Sequence, residues 1–289
     1  MHDFDASAAL LEQVNQALNS STPLRIQGGN SKAFLGRKVV GEVLDTRAHR
    51  GIVSYDPTEL VITVRTGTPL AELQAVLDAA GQMLTCEPPH LGATATVGGM
   101  LATGLSGPRR PWAGAVRDMV LGTRLITGFG KQLRFGGEVM KNVAGYDLSR
   151  LLAGSFGCLG VITEVSLKVL PKPRQSLSLR LQLDAEHALA KLSEWGQQPL
   201  PISAASHDGQ ALHLRLEGGA GSVAELLATR NPLECDVVVL DLSLADGSHV
   251  ESNVRKIIEA GAQVLVFSIA DKAALVSAAL KAGAAGVVK

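Results

Sequence analysis

Cysteine is scarce in this sequence, and its copies are scattered. The three cysteines, Cys86, Cys158 and Cys235, are too far apart to form a CxxC pair, a zinc quartet or an iron–sulfur motif. Unpaired thiols are typical of a protein kept in a reducing compartment. We therefore expect a cytoplasmic protein with no disulfide and no metal centre.

Aromatic residues and net charge are also lacking. Aromatics make up 3% of the 289 residues against 46% for all hydrophobic residues. The core must therefore consist mainly of Val, Leu, Ala and Ile, as in folds that pack helices on strands. Lysine plus arginine equals aspartate plus glutamate at 27 each. A general nucleic-acid binder would show a basic excess, so that class of protein is disfavoured.

Long apolar runs are missing as well. No run reaches the roughly 20 residues that a bilayer-spanning helix needs. The N-terminus, MHDFDASAALLEQ, is acidic and lacks the positive and apolar regions of a signal peptide. We expect neither a membrane span nor a secretory signal.

Glycine, in contrast, is abundant, with 31 copies, many of them within residues 87–168. Glycine lets a backbone adopt positive φ and lets another surface approach the main chain closely. Gly-rich turns also offer bare N–H groups to anions. This window therefore predicts a site for a long, flat ligand that carries phosphates.

Three glycine-rich segments indicate the kind of ligand. Residues 28–32 directly follow a predicted strand, residues 88–99 add backbone donors and two hydroxyls, and residues 154–160 precede another strand. None of them is a GxGxxG fingerprint or a P-loop, which disfavours a nicotinamide site of the Rossmann type. Three separate segments fit a cofactor with two phosphates and two ring systems.

The order of the motifs resembles a known family. A strand followed by GGNSK comes first, then EPPHLGATATVGGM, then GLSGPRRPWAGAVRDMVLG, and finally KNVAGYDLSRLLAGSFGCLGVITEVSLKVLP. This order is similar to the FAD-binding domain of the vanillyl-alcohol-oxidase and para-cresol-methylhydroxylase type. Within that superfamily it is most similar to the FAD-binding subunits of bacterial glycolate oxidases. The resemblance covers about residues 5–216.

The resemblance implies noncovalent FAD and a set of residues that bind it. Some relatives bind the flavin covalently through a His in the first glycine loop, where this chain has Asn30 and Ser31. No catalytic residue is identified. The implied cofactor-binding residues are Gly28, Gly29, Asn30, Ser31 and Lys32 at the pyrophosphate; Pro88, Gly92, Thr94, Thr96, Gly98 and Gly99 beside the pyrophosphate, ribityl chain and isoalloxazine; and Gly157, Gly160, Val161 and Ile162 near the adenine and ribose.

Charged residues between the motifs admit two interpretations. Arg109, Arg110, Arg117 and Asp118 lie in a Pro/Gly-rich loop. An arginine there would neutralise the charge of the flavin or pyrophosphate, or an Arg–Asp pair would pin the loop. His90 likewise would either polarise the flavin or make a hydrogen bond within its loop.

After residue 216 the chain departs from the family. Residues 222–289 resemble the C-terminal half of a response-regulator receiver. That resemblance implies Asp241 as the phosphoacceptor, Ser268 as the switch hydroxyl and Lys289 as the phosphate contact. The first strand and the acidic pair that hold Mg²⁺ in a receiver are missing, so we expect no phosphorylation. An incomplete parallel sheet exposes an edge, so we expect this segment to pack on the flavin domain or on a second copy.

These observations together predict an α+β protein. It would have a two-subdomain FAD-binding domain of the para-cresol-methylhydroxylase type over residues 1–173, a short α+β cap over 174–234 and a C-terminal βαβαβ flavodoxin-like fragment over 235–289. The resemblance to glycolate oxidase subunits implies the function of an FAD-dependent oxidoreductase subunit of a glycolate (D-2-hydroxy-acid) oxidase. It also implies a larger flavin subunit and an iron–sulfur subunit as partners, through which the cytoplasmic chain could sit at the inner membrane. Two alternatives are a signalling fusion that uses Asp241 and an inactive chimera that only binds FAD.

Overall fold

The computed structural model describes residues 3–138, 145–219, 237–241, 250–259, 261, 263–267 and 273–288. Two compact units divide the chain, Met1–Lys172 and Pro173–Lys289. The helices are α1 (Ser7–Asn19), α2 (Leu70–Ala79), α3 (Val97–Thr103), α4 (Arg110–Ala113), α5 (Val116–Met119), α6 (Leu148–Leu151), α7 (Ala185–Trp195), α8 (Val250–Glu259) and α9 (Ala273–Lys281). The strands are β1 (Leu24–Gln27), β2 (Glu42–Asp45), β3 (Ile52–Asp56), β4 (Val61–Arg65), β5 (Gln82–Met83), β6 (Val120–Ile126), β7 (Gln132–Gly136), β8 (Val161–Lys168), β9 (Leu170–Pro171), β10 (Gln175–Leu181), β11 (Ile202–His207), β12 (Leu212–Gly218), β13 (Val237–Asp241), β14 (Gln263–Phe267) and β15 (Gly286–Val288).

The first unit is built around a five-stranded antiparallel sheet in the order β3-β4-β8-β6-β7. One core cluster joins this sheet to α2 and α3. Helix α2 contributes Leu70, Leu73 and Leu77, which follow the helical period and are fully buried. The chain leaves α2 through Gly81, at a φ of +66°, as expected for a glycine that ends a helix.

Strands β1 and β2 form a separate parallel pair, which packs beside α1. Helix α1 buries Leu10, Val14 and Ala17, whereas Leu18 is 46% exposed. At 3.6 residues per turn, a stripe through positions 10 and 14 continues at 17 rather than 18. Because β1 and β2 are parallel, the loops that follow them leave from the same edge of the pair.

The second unit contains one six-stranded sheet in the order β11-β12-β10-β13-β14-β15. The first three strands pair antiparallel, and the last three pair parallel with helices α8 and α9 between them. Strand β10 joins the two halves by pairing antiparallel with β13, from Leu177 opposite Leu240 to Arg180 opposite Val237. The segments expected as a cap and a C-terminal fragment thus share a sheet, and β13 has a partner on each side.

A buried histidine fixes the N-terminal segment of the first unit. His49 is fully buried, and its Nδ1 accepts a hydrogen bond from the Ala6 N–H at 3.0 Å. The Asp5 carboxylate lies 3.5 Å from the same nitrogen. Burial lowers the pKa of His49, and the charge of Asp5 offsets this only in part. The imidazole is therefore neutral when it accepts the Ala6 hydrogen bond.

We expect this arrangement to make stability fall as the pH drops through the unfolded-state pKa of histidine, near 6.5. Below that pH the unfolded chain binds a proton that the folded chain binds less readily, because the folded-state pKa of His49 is lowered. His49→Gln should melt at a lower temperature than the wild type at pH 8 and lose less stability between pH 8 and 5.5. Thermal melts across that range measure both effects. Equal pH slopes for the two proteins would contradict the assignment.

Candidate cofactor site

All three glycine-rich segments meet at one cleft in the first unit, which has a cavity volume of about 100 Å³. Its lining comes from the strand ends of β1, β2, β4 and β8, from α3 and from the loop before β8. The lining residues are Ile26, Gly28, Thr46, Thr66, Gly98, Gly99, Ala102, Phe156, Gly157, Gly160 and Ile162. Segments that are far apart in the sequence are therefore brought together by the fold.

The first segment, residues 28–32, presents unused backbone donors. Within the described parts of the chain, none of its five N–H groups donates a hydrogen bond to another protein group. Asn30 adopts a φ of +56°, a left-handed conformation that Asn tolerates better than most residues. Successive N–H groups around a left-handed residue form a concave site for an anion. This loop therefore offers backbone donors of the kind that bind an anionic group.

Gly28 and Gly29 are required because neighbouring atoms pack closely against them, not because the backbone adopts positive φ there. A Cβ on Gly29 would lie 1.5 Å from the carbonyl oxygen of Thr94, and one on Gly28 would lie 2.5 Å from Oγ1 of Thr96. The Thr94 hydroxyl also donates to the Gly29 carbonyl oxygen at 2.6 Å. The first and second glycine segments are thus in direct contact, and any other side chain at Gly29 would push them apart.

The second segment differs from the expectation in how it contributes. Thr96 caps α3, since its side chain accepts a hydrogen bond from the Gly99 N–H at 3.2 Å. The N–H groups of Val97 and Gly98 donate to the carbonyl oxygens of Thr68 and Thr66. These donors are therefore already occupied. Gly98 and Gly99 line the cleft with bare backbone and allow close approach, but they do not add N–H groups for phosphate.

The remaining predicted residues lie at different distances from the cleft. Ser31 approaches Gly92, where an added Cβ would lie 3.6 Å from the Ser31 Cβ. The loop around Gly92 therefore borders residues 28–32, which we call the phosphate loop. Gly157, Gly160 and Ile162 line the cleft directly. Nine predicted residues are outside its lining, namely Gly29, Asn30, Ser31, Lys32, Pro88, Gly92, Thr94, Thr96 and Val161. Pro88 is buried in its loop, and Val161 packs in the cluster of α1 and β2.

Lys32 carries the positive charge of the phosphate loop. Among the described residues it has no carboxylate within ion-pair distance, and it is half-buried. Desolvation lowers its pKa below the usual lysine value. A cation that is partly desolvated and unpaired gains from an anionic ligand, because the ligand restores the favourable environment of the charged form.

Five lining residues were not predicted from the sequence. Thr46 and Thr66 directly follow β2 and β4, so a search for polar residues at strand ends would have found them. Ile26, Ala102 and Phe156 carry no such signal, because an apolar residue in a strand, helix or loop is most simply a core residue.

The charged loop between the motifs is pinned internally. Arg109 is buried, and its Nε lies 3.3 Å from Glu87 Oε1, while its backbone N–H donates to Oε2 of the same carboxylate at 3.2 Å. Asp118 accepts from the Ala115 N–H at 2.8 Å. The loop is thus pinned internally, and the contacts that pin it here are an Arg109–Glu87 pair and the Asp118–Ala115 hydrogen bond, whereas the sequence suggested an Arg–Asp pair.

Comparison with known proteins first defines the class. Residues 5–136 match the FAD binding domain family. A solved structure of alkyldihydroxyacetonephosphate synthase shares the fold, with a TM-score of 0.60 and 21% identity over 75% of this chain and 49% of that chain. The N-terminal part of this chain is therefore an FAD-binding domain with an α+β fold, and its cofactor is FAD, as the motifs predict.

Two proteins of known function are similar to this chain in sequence. The chain is 67% identical over 223 residues to glycolate oxidase subunit GlcE of Escherichia coli (strain K12), which covers 77% of this chain and 64% of the relative. It is 32% identical over 200 residues to a D-lactate dehydrogenase of Archaeoglobus fulgidus, over 68% of this chain and 44% of that protein. The chain therefore spans less than two thirds of the length of either relative.

These comparisons confirm the resemblance to glycolate oxidase FAD-binding subunits and give no support to the receiver-like resemblance. Asp241 ends β13, whereas Ser268 and Lys289 lie outside the described residues. Among the described residues, no cluster of three His, Cys, Asp or Glu side chains could hold a metal ion, and no helix is long and apolar enough to cross a membrane.

Lys32 provides a direct test of the phosphate loop. Lys32→Met should weaken FAD binding about ten- to a hundredfold, because a hydrogen bond to a charged group contributes about 1.5–3 kcal/mol. Lys32→Arg should retain most of the affinity. Lys131→Met, which removes an exposed lysine next to the β6–β7 turn, is the matched control. Titration of FAD into apo-protein measures all three, and equal affinities for Lys32→Met and the control would refute the role.

Proposed function

We propose that this chain is the FAD-binding subunit of an oxidase complex that acts on glycolate or a similar 2-hydroxy acid, and that it passes electrons to partner subunits. The convergence of three glycine-rich segments on one cleft carries this proposal. The 67% identity to a glycolate oxidase subunit and the likeness to D-lactate dehydrogenases support the substrate class. Both relatives are named for substrates with a hydroxyl next to a carboxylate.

FAD binding is proposed to be noncovalent. The first glycine loop holds Asn30 and Ser31 and contains no His, and among the described residues no His or Cys lines the cleft. Attachment would then rest on the N–H groups of residues 28–32, the charge of Lys32 and contact with the bare backbone of Gly98 and Gly99. Such a set holds a phosphate-linked ligand without a bond to the flavin ring.

The composition of the cleft favours electron transfer over independent catalysis. A 2-hydroxy acid loses two electrons and two protons when it becomes a 2-oxo acid, so its oxidation needs a group that accepts the hydroxyl proton. Bound FAD supplies the two-electron chemistry. In the part of the chain that the structure describes, the cleft lining contains hydroxyls, glycines and apolar side chains but no titratable residue. We therefore propose that the proton-accepting group and much of the substrate site belong to a partner subunit.

The partners follow from the same proposal. The relative GlcE is named as a subunit, which supports other glycolate oxidase subunits as partners, including a larger flavin subunit. An iron–sulfur subunit as electron acceptor, self-association through the C-terminal segment and a position at the inner membrane stay predictions. A signalling role through Asp241 is not favoured.

The purified chain should be yellow and carry about one FAD, with flavin absorbance bands in the visible spectrum. Heat or acid denaturation should release the flavin into the soluble fraction, since no bond to the chain is expected. A colourless protein that takes up no added FAD would overturn the cofactor assignment. Flavin that stays with the precipitated chain would overturn only its noncovalent attachment.

Activity should depend on the complex. The chain alone should reduce an artificial electron acceptor with glycolate at a rate on the order of a hundredfold or more below that of the chain co-purified with its partner subunits. An assay with glycolate and with D-lactate tests the substrate class, and glycerol, which lacks the carboxylate, is the control. Full activity of the isolated chain would contradict the proposed division of labour.

A further inference from the structure

Phe156 is the aromatic residue in the lining of the FAD cleft. Its side chain is half-exposed, at 52%, although phenylalanine usually prefers burial. The ring lies against the turn that follows the phosphate loop, because a Cβ on Gly36 would be 3.8 Å from its Cδ1. The ring thus extends from the third glycine segment toward the turn at Gly36.

The backbone at Phe156 adopts an unfavourable conformation, which determines where the ring lies. Phe156 has a φ of +52°, in the left-handed region that a bulky residue rarely adopts. Its N–H donates to the Ala102 carbonyl oxygen at 2.8 Å, and the Gly154 N–H donates to that of Leu101 at 3.0 Å, so the loop is fastened to α3. A strained conformation that leaves the ring half-exposed is not explained by packing. Strain of this kind persists where the surrounding structure imposes it, often at ligand sites.

The surroundings of the ring suit a flat aromatic ligand. Ile26 and Ile162 add apolar surface to the same cleft, and Thr46 and Thr66 supply hydroxyls. Residues 28–32 supply the unpaired N–H groups described above. A planar group joined to a phosphate could therefore place its ring against Phe156 and its phosphate in the loop. Aromatic rings gain from offset-stacked or edge-to-face contact with such a group.

We propose that Phe156 is a ring-stacking residue that sets the affinity of the cleft for one planar ring of FAD. The inference rests on the FAD assignment and adds a side chain that neither the motifs nor the comparisons indicate. Adenine and isoalloxazine share the required chemistry, and the experiment below distinguishes them.

The test compares three substitutions at this position with one control. Phe156→Ala and Phe156→Gly should each weaken FAD binding roughly tenfold, the scale of a lost base–aromatic stack, whereas Phe156→Tyr should stay within about twofold of the wild type. Phe129→Ala removes a phenylalanine that is 86% exposed in the β6–β7 turn and should leave the affinity unchanged. FAD is titrated into deflavinated protein and followed by flavin fluorescence.

The thermal stability of the Phe156 variants distinguishes a loss of ring stacking from a loss of folded structure. Glycine accepts the positive φ without strain, so the Phe156→Gly apo-protein should melt no lower than the Phe156→Ala apo-protein. Weak FAD binding by a Gly variant that is as stable as the wild type would support the stacking role. Unchanged FAD affinity in both the Ala and Gly variants would overturn it.

Competition with ADP and with FMN identifies the ring. If adenine stacks on Phe156, the Ala variant should lose affinity for ADP and keep its affinity for FMN; if isoalloxazine stacks there, the losses should be reversed. Wild-type apo-protein that takes up no FAD would overturn the FAD assignment and this inference with it. Wild-type protein that binds FAD while the Phe156 variants match it would overturn the stacking role alone.

Discussion

The contact between two loop backbones is the constraint on which the cofactor site depends. Gly29 lies so close to the Thr94 carbonyl that there is no room for even a methyl group, and Gly28 is similarly close to Thr96. Thr96 in turn caps α3, and the first turn of α3 is hydrogen-bonded to residues that follow β4. The phosphate loop is therefore tied through this contact to the central sheet. A rigid connection of this kind holds a binding loop in its bound shape before the ligand arrives, which reduces the entropic cost of binding.

Hydrogen bonding gives the glycine-rich segments different roles. The N–H groups at the start of α3 are satisfied by Thr66, Thr68 and Thr96, so the first turn of this helix is closed to phosphate although it is rich in glycine. The loop of residues 28–32 keeps its N–H groups for a ligand. Glycine content alone thus indicates where a backbone is approached closely. Which backbone can bind an anion is shown only by which N–H groups do not already donate a hydrogen bond within the protein.

Much of the first unit follows from sequence patterns, and the rest depends on tertiary contacts. The β6–β7 hairpin, the end of α2 at Gly81 and the segments that meet at the cleft are local features with strong glycine and apolar signals. The partner of Arg109 could not be predicted, because Glu87 lies 22 positions away and only the folded loop brings them together. Phe156 was missed because an isolated aromatic in a glycine-rich loop is most simply a core residue, and a backbone φ cannot be read from residue type.

The position of β10 between β12 and β13 has a consequence for biosynthesis. Strand β10 and the β11–β12 hairpin are close in sequence and can pair as soon as they leave the ribosome, whereas β13 starts more than fifty residues after β10 ends. During translation one edge of β10 therefore stays open until β13 has emerged. An open strand edge is a template for pairing with another chain. Completion of the second unit thus depends on late, long-range pairing, the kind of contact that folds slowly and leaves nascent chains exposed to aggregation.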